Sequence, residues 1–269
     1  MISFDDINNI PSYISERFTL YVCSPMICNK IISCKPIWGM TGHKEIQDII
    51  DSYTNLTDKI VYIFLVTDTC NTFNIPQNIR LYRTSLCKSK QHKNEYVLPY
   101  VWEGITIPVS PLEKTDLPLV GFCGLNSEYR RRTLELFNSN KNVKTNFIIR
   151  NQFWGGSPHD KNLVDEFQNN MIETHFNICN RGAGNFSMRF YQTLSCGRIP
   201  ILLNTDILLP FEEEINWNDI IVIGNTEEEL INNLLHYWNT KNIVEMQIKC
   251  KEIYDTYFLN SIFFDKILS

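Results

Sequence analysis

Between Phe176 and Asn218 the chain reads FNICNRGAGNFSMRFYQTLSCGRIPILLNTDILLPFEEEINWN. Arg181-Gly182-Ala183-Gly184-Asn185 is a loop that only small residues fold so tightly. It leads into a helix that Ser187 (or Asn185) can cap, running to about Cys196 with Gly197 as its stop. The free N–H groups and the dipole at such a helix start favour an anion, a phosphate above all. Arg189 and Gln192 stand three apart and share a helix face. A guanidinium and an amide so placed suit a diphosphate and a sugar hydroxyl. Arg189 in the first turn opposes the helix dipole, which a bound anion would offset. The plain alternatives are a surface salt bridge for Arg189, a solvated helix face for Gln192 and glycines that serve only the turn.

The whole stretch resembles the core of the exostosin family of glycosyltransferases. That family shows a glycine loop, then Ser-x-Arg-x-x-Glu-Ala, then a Gly/Cys-x-Ile-Pro-Val strand, then Leu-Pro-Phe and an acidic-Trp tail. The matching residues here are Ser187, Arg189, Gln192, Gly197, Ile199, Pro200, Ile201, Leu209, Pro210, Phe211, Ile215, Asn216 and Trp217. Gln192 is a departure, since the family has an acid there, expected to hold the donor ribose hydroxyls. A glutamine still donates and accepts hydrogen bonds, without charge.

The resemblance implies an inverting transferase that moves a sugar from a nucleotide-sugar, expected to be a UDP-sugar, to a hydroxyl of a glycan or glycoprotein. Xylose is the first expectation for the sugar, glucuronic acid or galactose the next. No cofactor is expected beyond the donor. No DxD-type pair stands where a metal would hold the diphosphate, so the arginines and the helix start are expected to act without one. The family places an arginine after the strand that ends at Gly124; of the Arg130–Arg132 run the expectation falls on Arg131. Arg150 ends the next strand and points at the same cleft. Inverting transfer needs a base for the acceptor proton. Asp68, at the end of the strongest N-terminal strand, is the first candidate; His43, at a helix start, and Glu103, beside Trp102, follow. A turn cap is the plain alternative for Asp68. Tyr100, Trp102 and Trp154 could stack on sugar rings. A non-catalytic module that binds a nucleotide-sugar or glycan beside a partner transferase is the second reading. A nucleotide-binding oxidoreductase lacks its GxGxxG after the first strand.

The positioning elements follow from periodicity. Phe18–Cys23 alternates as a first strand, and Ser24–Gly42 reads as irregular. Thr41 can cap a helix over His43–Tyr53. Lys59–Val66 and Ile79–Arg83 are strands, and Leu98–Glu103 is a loop or short strand. A proline-bearing segment from Ile107 to Leu117 has a linker's composition. Then come strands at Leu117–Gly124 and Val143–Ile149, helices from Ser127 to Phe137 and over Lys161–Ile172, and the core stretch. Ile220–Ile223 is a strand, Thr226 opens a helix with acids in its first turn, and a last helix covers about Ile243–Phe258. Strands alternating with helices in both halves mean parallel sheets covered on both faces. The fold class is therefore α/β, with two Rossmann-like domains facing across a cleft, the GT-B type. The expected domains are residues 1–112 on the acceptor side and 113–269 on the nucleotide-sugar side, the last helix crossing back onto the first.

The 269 residues allow one large or two modest domains. A net charge of −5 without a basic stripe argues against nucleic acid. Nine scattered cysteines without a CxxC pair point to a reducing compartment. A zinc site from Cys23, Cys28, Cys34 and His43 matches no standard spacing. No signal peptide opens the chain and no apolar run reaches membrane length, so the expected location is cytoplasmic. A compact form without an anchor is expected in microbes or large DNA viruses.

Overall fold

The computed structural model describes residues 34–38, 42–55, 60–100, 105, 107, 109–157, 159–259, 262–263 and 266–267. Within them lie two parallel sheets. The first is built from β1 (Cys34–Trp38), β2 (Val61–Val66), β3 (Ile79–Arg83) and β4 (Glu95–Val97), in that spatial order. Helix α1 (His43–Ser52) buries Ile46 and Ile50 against one face, with Val61, Ile63, Leu65, Ile79 and Leu81. The alternate residues of β2 and β3, Phe64, Val66 and Tyr82, face the other way into the main core. A strand apolar on both sides belongs in a doubly covered parallel sheet, as the unbroken run Val61–Val66 implies.

The second sheet holds β5 (Leu119–Leu125), β6 (Lys144–Arg150), β7 (Phe176–Ile178), β8 (Ile199–Leu203) and β9 (Val222–Gly224), ordered β6-β5-β7-β8-β9. Helices α2 (Glu128–Ser139), α3 (Lys161–Ile172), α4 (Met188–Ser195), α5 (Glu227–Thr240) and α6 (Ile243–Ile253) alternate with these strands or follow them. The order reverses between β5 and β7. Ligands of open α/β sheets bind at such a switch point, beyond the strand C-termini.

The C-terminal ends of the two sheets meet. Ser85, just past β3, accepts the Asn185 N–H at 2.7 Å, and Asn185 Nδ2 donates to Leu86 O at 3.3 Å. Lys88 pairs with Glu212 at 2.6 Å, and Ser89 N–H donates to Asp206 Oδ1 at 3.0 Å. This is the GT-B arrangement, two Rossmann-like units joined along their strand ends.

The segment between the sheets is fastened to the second. Leu112 exchanges backbone bonds with the Gln247 amide, at 2.9 and 2.8 Å. The fully buried Arg198 donates to Gln247 Oε1, Ser110 O and Ile172 O. The expected boundary at 112/113 falls inside this fastened stretch.

Several expectations shift. Ser24–Gly42 was expected to be irregular, yet it contains β1, whose Pro36 a sheet edge tolerates. Gly42, with Glu45 Oε2 accepting its N–H at 3.0 Å, stands at the N-cap of α1. Of Leu98–Glu103, expected as a loop or short strand, Leu98–Tyr100 are loop and follow the strand Glu95–Val97. The last helix passes at Tyr254 into a π-helical turn to Phe258, whose ring packs on Tyr191 and Trp217 of the second unit. Phe18–Cys23, Cys28, Thr41, Trp102 and Glu103 lie outside the described residues. No helix among the described residues is long and apolar enough to cross a membrane.

Candidate active site

Helix α4 starts where the sequence places it, and it is buried from Arg189 to Ser195. Ser187 occupies the N-cap position, but its side chain makes no capping bond and instead lines a cavity of about 370 Å³. That cavity lies beyond β5 and β6, beside the switch point. Gly124, Arg130, Arg150, Phe153, Trp154, Phe167, Gln168, Ser187, Arg189 and Gln192 contribute to its wall.

Arg189 is only 8% exposed. Its Nη2 donates to Cys123 O at 2.6 Å, and its guanidinium lies over the Phe122 ring at 4.4 Å. Nε and Nη1 are buried without a hydrogen-bond partner among the described residues. Gly124 makes this close approach possible, since a Cβ there would stand 2.6 Å from Arg189 Nη2. Arg130 is 7% exposed and lies over the same ring at 5.7 Å. It donates to Asn180 O at 3.3 Å and Leu125 O at 3.1 Å. No carboxylate pairs with either arginine among the described residues. Burial lowers both guanidinium pKa values, and the Arg189 charge lowers that of Arg130 further. Among the described residues these two buried cations have no counter-charge, an arrangement that suits an anion, because burying an unpaired charge is otherwise unfavourable.

Arg131, the residue expected from the Arg130–Arg132 run, is exposed and does not line the cavity; Arg130 takes the inward place. The signal was present. Residues 130, 133, 134 and 137 form the buried stripe of α2 at helical spacing, which turns Arg130 inward and Arg131 out.

Arg150 reaches the cavity wall but is engaged, donating to Glu166 at 2.7 Å and Leu163 O at 2.8 Å. Arg181 braces the glycine loop from within, through Asn185 Oδ1 at 3.1 Å and Ala183 O at 2.9 Å. Gly182 sits close to Arg130, whose Nη2 would lie 3.3 Å from an added Cβ. Gln192 is 8% exposed, and no partner engages its amide among the described residues.

Asp68 follows β2 and lies exposed against the glycine loop. An added Cβ at Gly184 would stand 2.6 Å from Asp68 Oδ1 and 3.1 Å from its Cα. The loop after Asp68 is held by Arg83, a feature not read from sequence. Arg83 donates to Thr69 O at 2.6 Å and Asn71 O at 2.8 Å, and pairs with buried Glu95 at 2.8 Å. Burial pushes the Tyr100 hydroxyl up to about 12, and the Asp68 charge adds to this. His43 is exposed, stacked on Phe73 at 5.1 Å, and lines no part of the cavity.

The Exostosin GT47 domain model matches residues 63–236. An Exostosin-1 homolog of Caenorhabditis elegans is 26% identical over 142 residues, half of this chain and 37% of that protein. The chain thus spans well under half of that relative's length. Among solved structures, a point mutant of S. aureus TarM with fondaparinux, alpha-GlcNAc-glycerol and UDP superposes with a TM-score of 0.47 at 12% identity, over 88% of this chain and 55% of that one. A second TarM structure gives 0.48 at 12%, over 95% and 57%. Those likenesses are too distant to bear on function. The family match takes in the first sheet from Ile63 onward, the second sheet, the glycine loop and the buried arginines, and the chain belongs to the exostosin GT47 family of glycosyltransferases.

Proposed function

We propose that this chain transfers a sugar from a nucleotide-sugar to a hydroxyl of a glycan acceptor, with inversion. The observation that carries the reading is the buried pair Arg130 and Arg189, which no carboxylate engages among the described residues, on a cavity beside the switch point. A donor diphosphate would supply the missing counter-charge. Ser187 and the uncapped first turn of α4 would add hydrogen bonds to it. As the C1–O bond to the diphosphate breaks, these donors would take up the charge developing on the leaving oxygen, a role that needs no metal ion. The acceptor oxygen would bond to C1 and pass its proton to a base. Asp68 is the base we propose, because it approaches the glycine loop from the opposite sheet. The units on either side of residue 112 would serve acceptor and donor. UDP is the proposed nucleotide, with xylose the first sugar to try. A cytoplasmic location accompanies this reading.

Gln192 motivates a second reading, a module that binds the donor without turnover. Its amide is buried in the cavity where the family resemblance implies an acid. One experiment separates the two. The protein is titrated with UDP- and GDP-sugars in EDTA by calorimetry, and nucleotide release is followed with glycan acceptors present. Binding with release supports transfer. Binding without release supports the module, and absence of binding sinks both.

A further inference from the structure

The cavity wall has an aromatic rim that the diphosphate chemistry leaves unused. Phe153 is 63% and Trp154 53% exposed, unusually open for side chains of this size. Both line the cavity of the buried arginines. Trp154 has a left-handed backbone, φ 57° and ψ 18°, which a bulky residue rarely adopts. The turn holding it is fixed. Gly155, at φ 66°, packs so closely on α3 that an added Cβ would stand 2.9 Å from Leu163 Cδ1. Trp154 O accepts the Ser157 N–H at 3.3 Å, and Gly155 N–H donates to Gln152 O at 3.2 Å. Strain at a well-braced position marks functional sites.

The occupant follows from position. The turn succeeds β6, the strand beside β5, and neighbouring strands lie about 4.8 Å apart. A diphosphate on Arg130 and Arg189 would carry its base, one ribose away, over the adjacent strand end. Gln168 lines the same wall, and among the described residues no hydrogen bond engages its amide, which can donate to and accept from a base edge. Resting on the reading of the arginines as the donor anion site, we propose that the Phe153–Trp154 turn is the nucleobase subsite. Trp154 stacks on the base and Gln168 meets its edge.

The test compares UDP with inorganic pyrophosphate by calorimetry on the wild type, Trp154→Ala and Trp154→Phe. Stacking on one base accounts for about a five- to hundredfold change in affinity. Trp154→Ala is expected to weaken UDP by that factor and leave pyrophosphate unchanged, and Trp154→Phe to recover most of the loss. Unchanged UDP affinity in Trp154→Ala would place the base elsewhere and overturn the proposal. Equal weakening of UDP and pyrophosphate would also overturn it, because the ring would then be acting through the turn. Failure of the wild type to bind pyrophosphate would instead condemn the arginine reading itself.

Discussion

At the scale of single residues, the candidate site turns on guanidinium groups without counter-charges among the described residues. Arg189 was legible from sequence, because a glycine loop, a helix start and a cation in its first turn form one local pattern. Arg130 needed the helical register of α2 as well, and the choice among adjacent arginines went to its neighbour. Replacing Arg189 by methionine removes a buried charge and keeps most of the packing volume. The Arg189→Met protein should bind UDP about ten- to hundredfold more weakly, as expected for a lost charged hydrogen bond. It should nevertheless unfold at no lower temperature than the wild type, because an unpaired buried charge opposes folding. A calorimetric titration beside a thermal melt checks both halves; a large drop in melting temperature would mean the arginine has a structural role. Asp68→Asn carries a different signature. Turnover should fall by about 10²–10⁴-fold, the range for loss of a general base, with UDP affinity unchanged. Retention of full turnover would remove Asp68 from the mechanism.

Elements were read more securely than their partners. The spans Ile79–Arg83 and Lys161–Ile172 were expected at the bounds they have, because apolar alternation marks the first locally and an apolar stripe the second. β1 was hidden, since lysine, proline and tryptophan in CKPIW give no alternation and its pairing with β2 supplies the order. The buried Arg83–Glu95 pair joins adjacent parallel strands across a connection, and no spacing rule announces such a contact. Nor could sequence say why Gly184 is a glycine. The reason is an approach by the other sheet, since Asp68 occupies the space a side chain would need. Gly184→Ala should therefore force the loop and the end of β2 apart, costing about 1–3 kcal/mol as overpacking does. Denaturant unfolding would measure the loss, and an unchanged midpoint would show that the contact yields freely.

Over the whole molecule, two parallel sheets were legible from alternation, while the course of the segment joining them was not. Its proline-bearing composition is that of an interdomain linker, and Arg198, Gln247 and His175 fasten it to the second sheet. Buried His175 accepts the Leu119 N–H at 3.3 Å and bonds Glu113 O through Nε2 at 2.8 Å, so a neutral ring satisfies both. Burial holds its pKa below the ordinary value of 6.5. The folded state thus disfavours the protonated ring. The stability this contributes is present above pH 6.5 and lost as pH falls through that value toward the depressed one. Unfolding midpoints at pH 7.5 and 5.5 should differ more in the wild type than in His175→Gln, whose amide can make the same two bonds without titrating; equal differences would discharge the histidine. The arginine pair also has a consequence for the molecule in its cell. Any ligand that neutralises it binds the folded chain alone, adding about 2.7 kcal/mol at a hundredfold excess over Kd. The empty form is then the one that proteases and chaperones meet unfolded most often. The steady-state level of this protein would rise and fall with the supply of activated sugar, with no regulator other than its own folding equilibrium.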